Sequence, residues 1–136
     1  MSNTEVAGPA DMASTVLFVE DDDDVREFIR TMLAPAGFRV LTARDGTEAL
    51  SLLAENDDVD ALLTDIVMPG MSGIDLARTA RQRQPKIKVL FMTGFYPNAA
   101  DTAGLGRVML KPMLAPNLID ELSELLASRP GGAEQG

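Results

Sequence analysis

Five short apolar runs, each ending at a polar residue and most of them followed by a helical stripe, constrain this chain more than any other feature. Thr15-Val16-Leu17-Phe18-Val19 is unbroken and contains β-branched members, as in a strand buried on both faces. Arg39 to Ala43, Val59 to Thr64, Ile87 to Met92 and Arg107 to Leu110 read as four more strands. Between the first two, Val25, Phe28, Ile29, Met32 and Leu33 recur at helical spacing until Pro35 and Gly37 stop them. Asp45 or Thr47 can cap a second helix through Ala54 that buries Ala49, Leu50 and Leu53, and Ser72 a third carrying Ile74, Ala77 and Ala80. Leu114, Leu118, Ile119, Leu122, Leu125 and Leu126 form the last stripe. From Phe95 to Gly106 the signal fails, and Asn98 to Ala103 has room only for a short or irregular helix.

Strands alternating with helices predict an α/β fold with a parallel sheet. Right-handed crossovers then bring every strand's carboxyl end to one edge. Glu20 and Asp21, Asp65, Thr93 and Lys111 are the polar residues that close strands one, three, four and five. Ligands of open doubly wound sheets bind outside those ends, so residues far apart in sequence converge on one crevice.

The 136 residues suffice for one domain, expected over 14–128, between a flexible leader at 1–13 and a flexible tail at 129–136. Without Cys or His there is no disulfide, thiolate or imidazole chemistry, which removes zinc sites and Ser-His-Asp or Cys-His catalysis. A formal charge of −9 disfavours nucleic acid and anionic lipid as partners. No apolar run approaches a membrane span and no signal peptide precedes the first strand, so a cytoplasmic location is expected.

Asp65 alone reads equally as a loop aspartate, a helix cap or a reactive carboxylate. Its company decides. Glu20, Asp21 and Asp65 brought together without an arginine repel unless a hard cation such as Mg²⁺ joins them. A carboxylate can take a phosphoryl group covalently, and the Lys111 ammonium and Thr93 hydroxyl suit the arriving oxygens. Asp22, Asp23 and Asp24 read more simply as a solvated helix N-terminus.

Val19-Glu20-Asp21-Asp22, Thr64-Asp65 with Met68-Pro69 and Gly73, Met92-Thr93-Gly94 and Leu110-Lys111-Pro112, in this order, resemble the receiver domain of two-component response regulators. The resemblance runs from about Thr15 to Ala127. It implies a flavodoxin-like doubly wound sheet of order 2-1-3-4-5. It further implies an aspartyl-phosphate switch in which Asp65 accepts phosphate from a histidine kinase or phosphotransfer protein, and Glu20, Asp21, Asp65 and the Val67 carbonyl hold Mg²⁺. Thr93 and Lys111 would then move toward the phosphate and signal to a downstream protein.

Two departures stand out. Val108 occupies the place, three residues before the lysine, where the family usually has an aromatic switch residue, leaving Phe95 or Tyr96 as substitutes. Only 17 residues separate Thr93 from Lys111. The short remainder after the last helix has no room for an output domain, so a stand-alone regulator is expected; the alternative is a terminal receiver or phosphate sink of a hybrid kinase, over which Met1 and the leader favour the first. A small Mg²⁺-dependent phosphatase is the reading from another class. It is disfavoured because Val67 stands where a second acid or base would be needed. A scaffold that is never phosphorylated leaves the five site residues without a purpose.

Overall fold

The computed structural model describes residues 14–94, 102, 104–111 and 115–127. The expected leader, tail and short fourth helix, with Phe95, Tyr96, Pro112 and Leu114, lie outside the described residues apart from Thr102, which is helical. Five strands, β1 (Thr15–Val19), β2 (Arg39–Ala43), β3 (Ala61–Asp65), β4 (Lys88–Thr93) and β5 (Arg107–Leu110), form one sheet in the order β2-β1-β3-β4-β5. Every pairing is parallel. The described helices are α1 (Asp23–Leu33), α2 (Gly46–Glu55), α3 (Gly73–Arg83) and α4 (Ala115–Ala127).

Alternation along the strands divides the core in two. Leu17, Val19, Leu62, Val89 and Phe91 pack with Ala49, Leu53, Leu76, Ala77 and Ala80 of α2 and α3. Val16, Phe18, Leu63, Leu90 and Met92 pack on the opposite face with Ile29 and Leu33 of α1 and Leu118, Leu122 and Leu125 of α4. Successive strand side chains point to opposite faces, so a sheet covered on both sides needs runs without polar interruption. β1 is accordingly buried at all five positions.

Caps set the helix starts. The Asp22 side chain accepts from the Asp24 and Val25 amides, and the Ser72 side chain accepts from that of Asp75. Asp45, not Thr47, caps α2: it accepts from the Glu48 amide while the Glu48 carboxylate accepts from the Arg44 amide.

Several expectations need correction. Helical spacing puts Val25 and Phe28 on the buried stripe of α1, yet they are 41% and 61% exposed. The helix buries only Ile29 and Leu33 fully, both in its second half, since equal spacing aligns side chains on one face without fixing how far along the helix the layer opposite extends. Leu50 is half-buried, and Leu76, absent from the expected stripe, is fully buried. β3 begins at Ala61 rather than Val59, since Asp60 ties the strands before the ladder starts: its carboxylate accepts from the Thr15 amide at 2.7 Å. β4 begins one residue later than expected and continues through Thr93.

Candidate functional site

The parallel register delivers the site residues to one edge. Asp65 pairs with Met92 and Thr93 with Leu110, while the Lys111 amide donates to the Thr93 carbonyl at 2.7 Å. Across β1, the Glu20 amide donates to the Ala43 carbonyl at 3.0 Å. With the backbones so fixed, Lys111 Nζ donates to Asp65 Oδ2 at 2.7 Å, the lysine side chain 35% and the aspartate 15% exposed. Thr93 closes β4 fully buried. Burial pulls the Lys111 pKa down. The hydrogen bond and charge of Asp65, together with Glu20 and Asp21, outweigh it and leave the ammonium held above its ordinary value.

Glu20 is the unusual member. It is 4% exposed, and while Oε2 accepts from the Asp22 amide at 3.1 Å, Oε1 has no partner. Burial pushes its pKa up; the Asp22 amide and Lys111 oppose this, and Asp21 and Asp65 add to it. A buried carboxylate oxygen without a donor is costly, and a hard divalent cation is the group that suits such an oxygen among neighbouring carboxylates. The donor set therefore fits Mg²⁺. Among the described residues, however, no three acidic side chains stand as a ready set of metal ligands. The Lys111 ammonium, expected at this edge, already sits on Asp65 and offsets part of the carboxylate charge.

Removing the Glu20 charge should stabilise the metal-free fold. A folded pKa above the unfolded one makes its contribution fully present below about 4.5 and lost as pH rises through the raised folded value. At neutral pH the charged form is therefore a cost. Glu20→Gln is expected to raise the Tm by about 2–4 °C in chelator-treated buffer at pH 7 and to flatten the acid side of the profile. Thermal scans with and without Mg²⁺ check this, since Mg²⁺ should stabilise the unsubstituted protein more.

The remaining acidic residues behave as a helix start, with Asp22 as cap and Asp23 and Asp24 in the first turn. In the loop after Asp65, Val67 is 64% exposed and Gly70 holds φ +78°, which a β-carbon disfavours. The Gly73 amide donates to the Ile66 carbonyl at 2.8 Å, and a Cβ on Gly73 would lie 1.9 Å from the Asp65 carbonyl oxygen. Val108 is half-buried against the α2 and α3 layer. Sequence reading missed one site residue, Arg26, whose guanidinium meets the Glu20 carbonyl and which leaves no motif; Gly73 was legible in the motif after Asp65, though not its close approach to the Asp65 carbonyl.

The response regulator receiver domain family matches residues 16–123. The chain belongs to that family. Among its relatives is the response regulator receiver protein CpdR of Brucella abortus strain 2308, 38% identical over 115 residues, 82% of this chain and 95% of that protein. The sensor kinase CckA of the same strain is 39% identical over 97 residues, 71% of this chain but 10% of the kinase. Several other relatives are longer: the chain spans 39% of the transcriptional regulatory protein YrkP of Bacillus subtilis and 51% of the response regulator MprA of Mycobacterium bovis. The crystal structure of the receiver domain from the hybrid histidine kinase CckA superposes with a TM-score of 0.74 at 32% identity, covering 83% of this chain and 99% of that one. A receiver protein from Sinorhizobium medicae WSM419 gives 0.79 at 26% identity, covering 86% and 97%. The receiver fold and its 2-1-3-4-5 sheet are thus established, and this is a signalling family of two-component systems.

Proposed function

We propose that this receiver is switched by phosphorylation of Asp65. The observation that carries the reading is the Lys111 ammonium 2.7 Å from Asp65, beside a buried Glu20 with one unpartnered oxygen. A carboxylate oxygen of Asp65 attacks the phosphorus of a phosphorylated imidazole; the P–O bond forms as the P–N bond breaks, and the departing nitrogen takes a proton from solvent. Glu20 and Asp21, with Asp65 and the Val67 carbonyl, would hold Mg²⁺, which when bound neutralises the phosphoryl oxygens. Lys111 leaves the carboxylate for the new dianion and Thr93 donates its hydroxyl to it, repacking the ends of β4 and β5. Val108 is too compact to act as the swinging switch, so that role falls to Phe95 or Tyr96.

The phosphodonor is a histidine kinase or a phosphotransfer protein. Val25, Phe28 and Val67 offer exposed apolar contacts for it around the acidic edge. Residues 14–128 are the receiver unit, the downstream partner is a protein, and the site does no turnover beyond slow loss of its own phosphate. Among the described residues no helix is long and apolar enough to cross a membrane, which fits a cytoplasmic role. The near full-length match to CpdR favours a stand-alone regulator. The match to CckA favours a second reading, a hybrid-kinase receiver acting as relay or phosphate sink.

Incubation with Mg²⁺ and beryllofluoride or acetyl phosphate tests the switch. One phosphoryl adduct by mass after acetyl phosphate, and amide shift changes around Asp65, Thr93 and Lys111 with either reagent, are the expected result; no adduct and no shifts would reject it. Lifetime is a separate expectation. The exposed Val67 side chain cannot orient a hydrolytic water, so the phosphoprotein should decay over at least minutes, whereas a half-life of seconds would show that another group activates water.

A further inference from the structure

Arg26 lies outside every motif of the sequence and takes no part in the steps above, yet its side chain is only 21% exposed at the rim of the acidic edge. Its Nη1 donates to the Glu20 carbonyl at 2.8 Å, and Nη2 pairs with Asp23 Oδ1. Its amide donates to the Asp22 carbonyl at 2.9 Å. Three further contacts hold the same turn. The Glu20 amide is tied to Ala43, Glu20 Oε2 receives the Asp22 amide, and Asp22 caps α1. Every hydrogen-bonding group of Glu20 is thereby occupied except Oε1. A planar fork that bonds the Glu20 carbonyl with one arm and an α1 carboxylate with the other fixes the peptide from which the Glu20 side chain springs.

We infer that Arg26 is a positioning residue for divalent-cation binding: by clamping the Glu20 carbonyl to the first turn of α1 it aims the free carboxylate oxygen of Glu20 at the cation. The inference rests on the Mg²⁺ reading of the site. It runs against simple electrostatics, because an arginine beside a cation site repels the cation. Removing it should strengthen binding if charge alone mattered and weaken binding if orientation matters.

The opposite signs make the test decisive. Mg²⁺ is titrated into the unphosphorylated protein and followed by the amide resonances of Glu20, Asp21 and Asp65, for the unsubstituted chain and for Arg26→Met, Arg26→Gln and Arg26→Lys. The expected result is about tenfold weaker binding in Arg26→Met, in the range of lost outer-shell partners. Arg26→Lys and Arg26→Gln, each able to donate one bond to the Glu20 carbonyl, should recover part of it. Urea unfolding in metal-free buffer identifies any variant that fails to fold, and the Lys and Gln variants then carry the comparison. Binding equal to or tighter than that of the unsubstituted protein in a folded Arg26→Met or Arg26→Gln overturns the inference alone. No Mg²⁺ response in the unsubstituted protein overturns the metal reading and this inference with it.

Discussion

Asp65→Asn is expected to abolish the phosphoryl adduct entirely while leaving the protein folded. The amide keeps the shape of the carboxylate and an oxygen that can accept from Lys111 Nζ, so the 2.7 Å contact survives as a neutral-acceptor hydrogen bond. What disappears is the anionic nucleophile, for which neither Thr93 nor Glu20 can substitute: Thr93 is buried, and the Glu20 carboxylate is fixed through Oε2. The substitution also changes the alkaline limb of stability. Raised in the fold, the Lys111 pKa contributes stability that is fully present below about 10.5 and lost as pH rises through the higher folded value. Without the Asp65 charge much of that upward shift goes, so the loss should begin at lower pH. Mass spectrometry after acetyl phosphate treatment reads the first effect and urea unfolding between pH 9 and 11 the second. An adduct of undiminished yield in Asp65→Asn would move the acceptor elsewhere.

The fold was legible because it is written in periodicity. β1, β2 and β5 have the expected boundaries, and the two-sided core follows from unbroken apolar runs. Periodicity failed where burial depends on what lies opposite. Val25 and Phe28 share spacing with Ile29 and Leu33, but spacing alone does not say how far along α1 the layer opposite it extends. The site was legible as a set of strand-end positions, because connectivity alone carries Glu20, Asp65, Thr93 and Lys111 to one edge. Its finer physics was not. That Glu20 has one satisfied and one orphaned oxygen, and that Arg26 spends a donor on a backbone carbonyl, are properties of three-dimensional placement with no compositional trace.

Gly73 shows how closely the site and the fold are joined. Gly73→Ala is expected to destabilise the protein by about 3 kcal/mol, at the upper end of overpacking costs, although alanine is the better helix former by at most about 1 kcal/mol. The cause is contact and not torsion: Gly73 begins α3 without a left-handed backbone, but its Cβ would come 1.9 Å from the Asp65 carbonyl oxygen and 3.0 Å from Ile66 Cα. Both neighbours are backbone and cannot swing away, so the loop from Asp65 to Ser72 must shift. The displaced carbonyl also accepts from Thr64 Oγ1 at 2.9 Å, and its movement rotates the Asp65 side chain away from Lys111. Gly70→Ala provides the contrast. With φ +78° and no atom within 4 Å of the methyl group that alanine would add, it meets strain without collision and should lose only about 1 kcal/mol. Urea unfolding of the two variants, paired with their rates of labelling by acetyl phosphate, separates the effects: Gly73→Ala should lose both stability and labelling, and Gly70→Ala mainly a little stability. A Gly73→Ala protein as stable and as readily labelled as the parent would show that α3 does not approach Asp65 this closely.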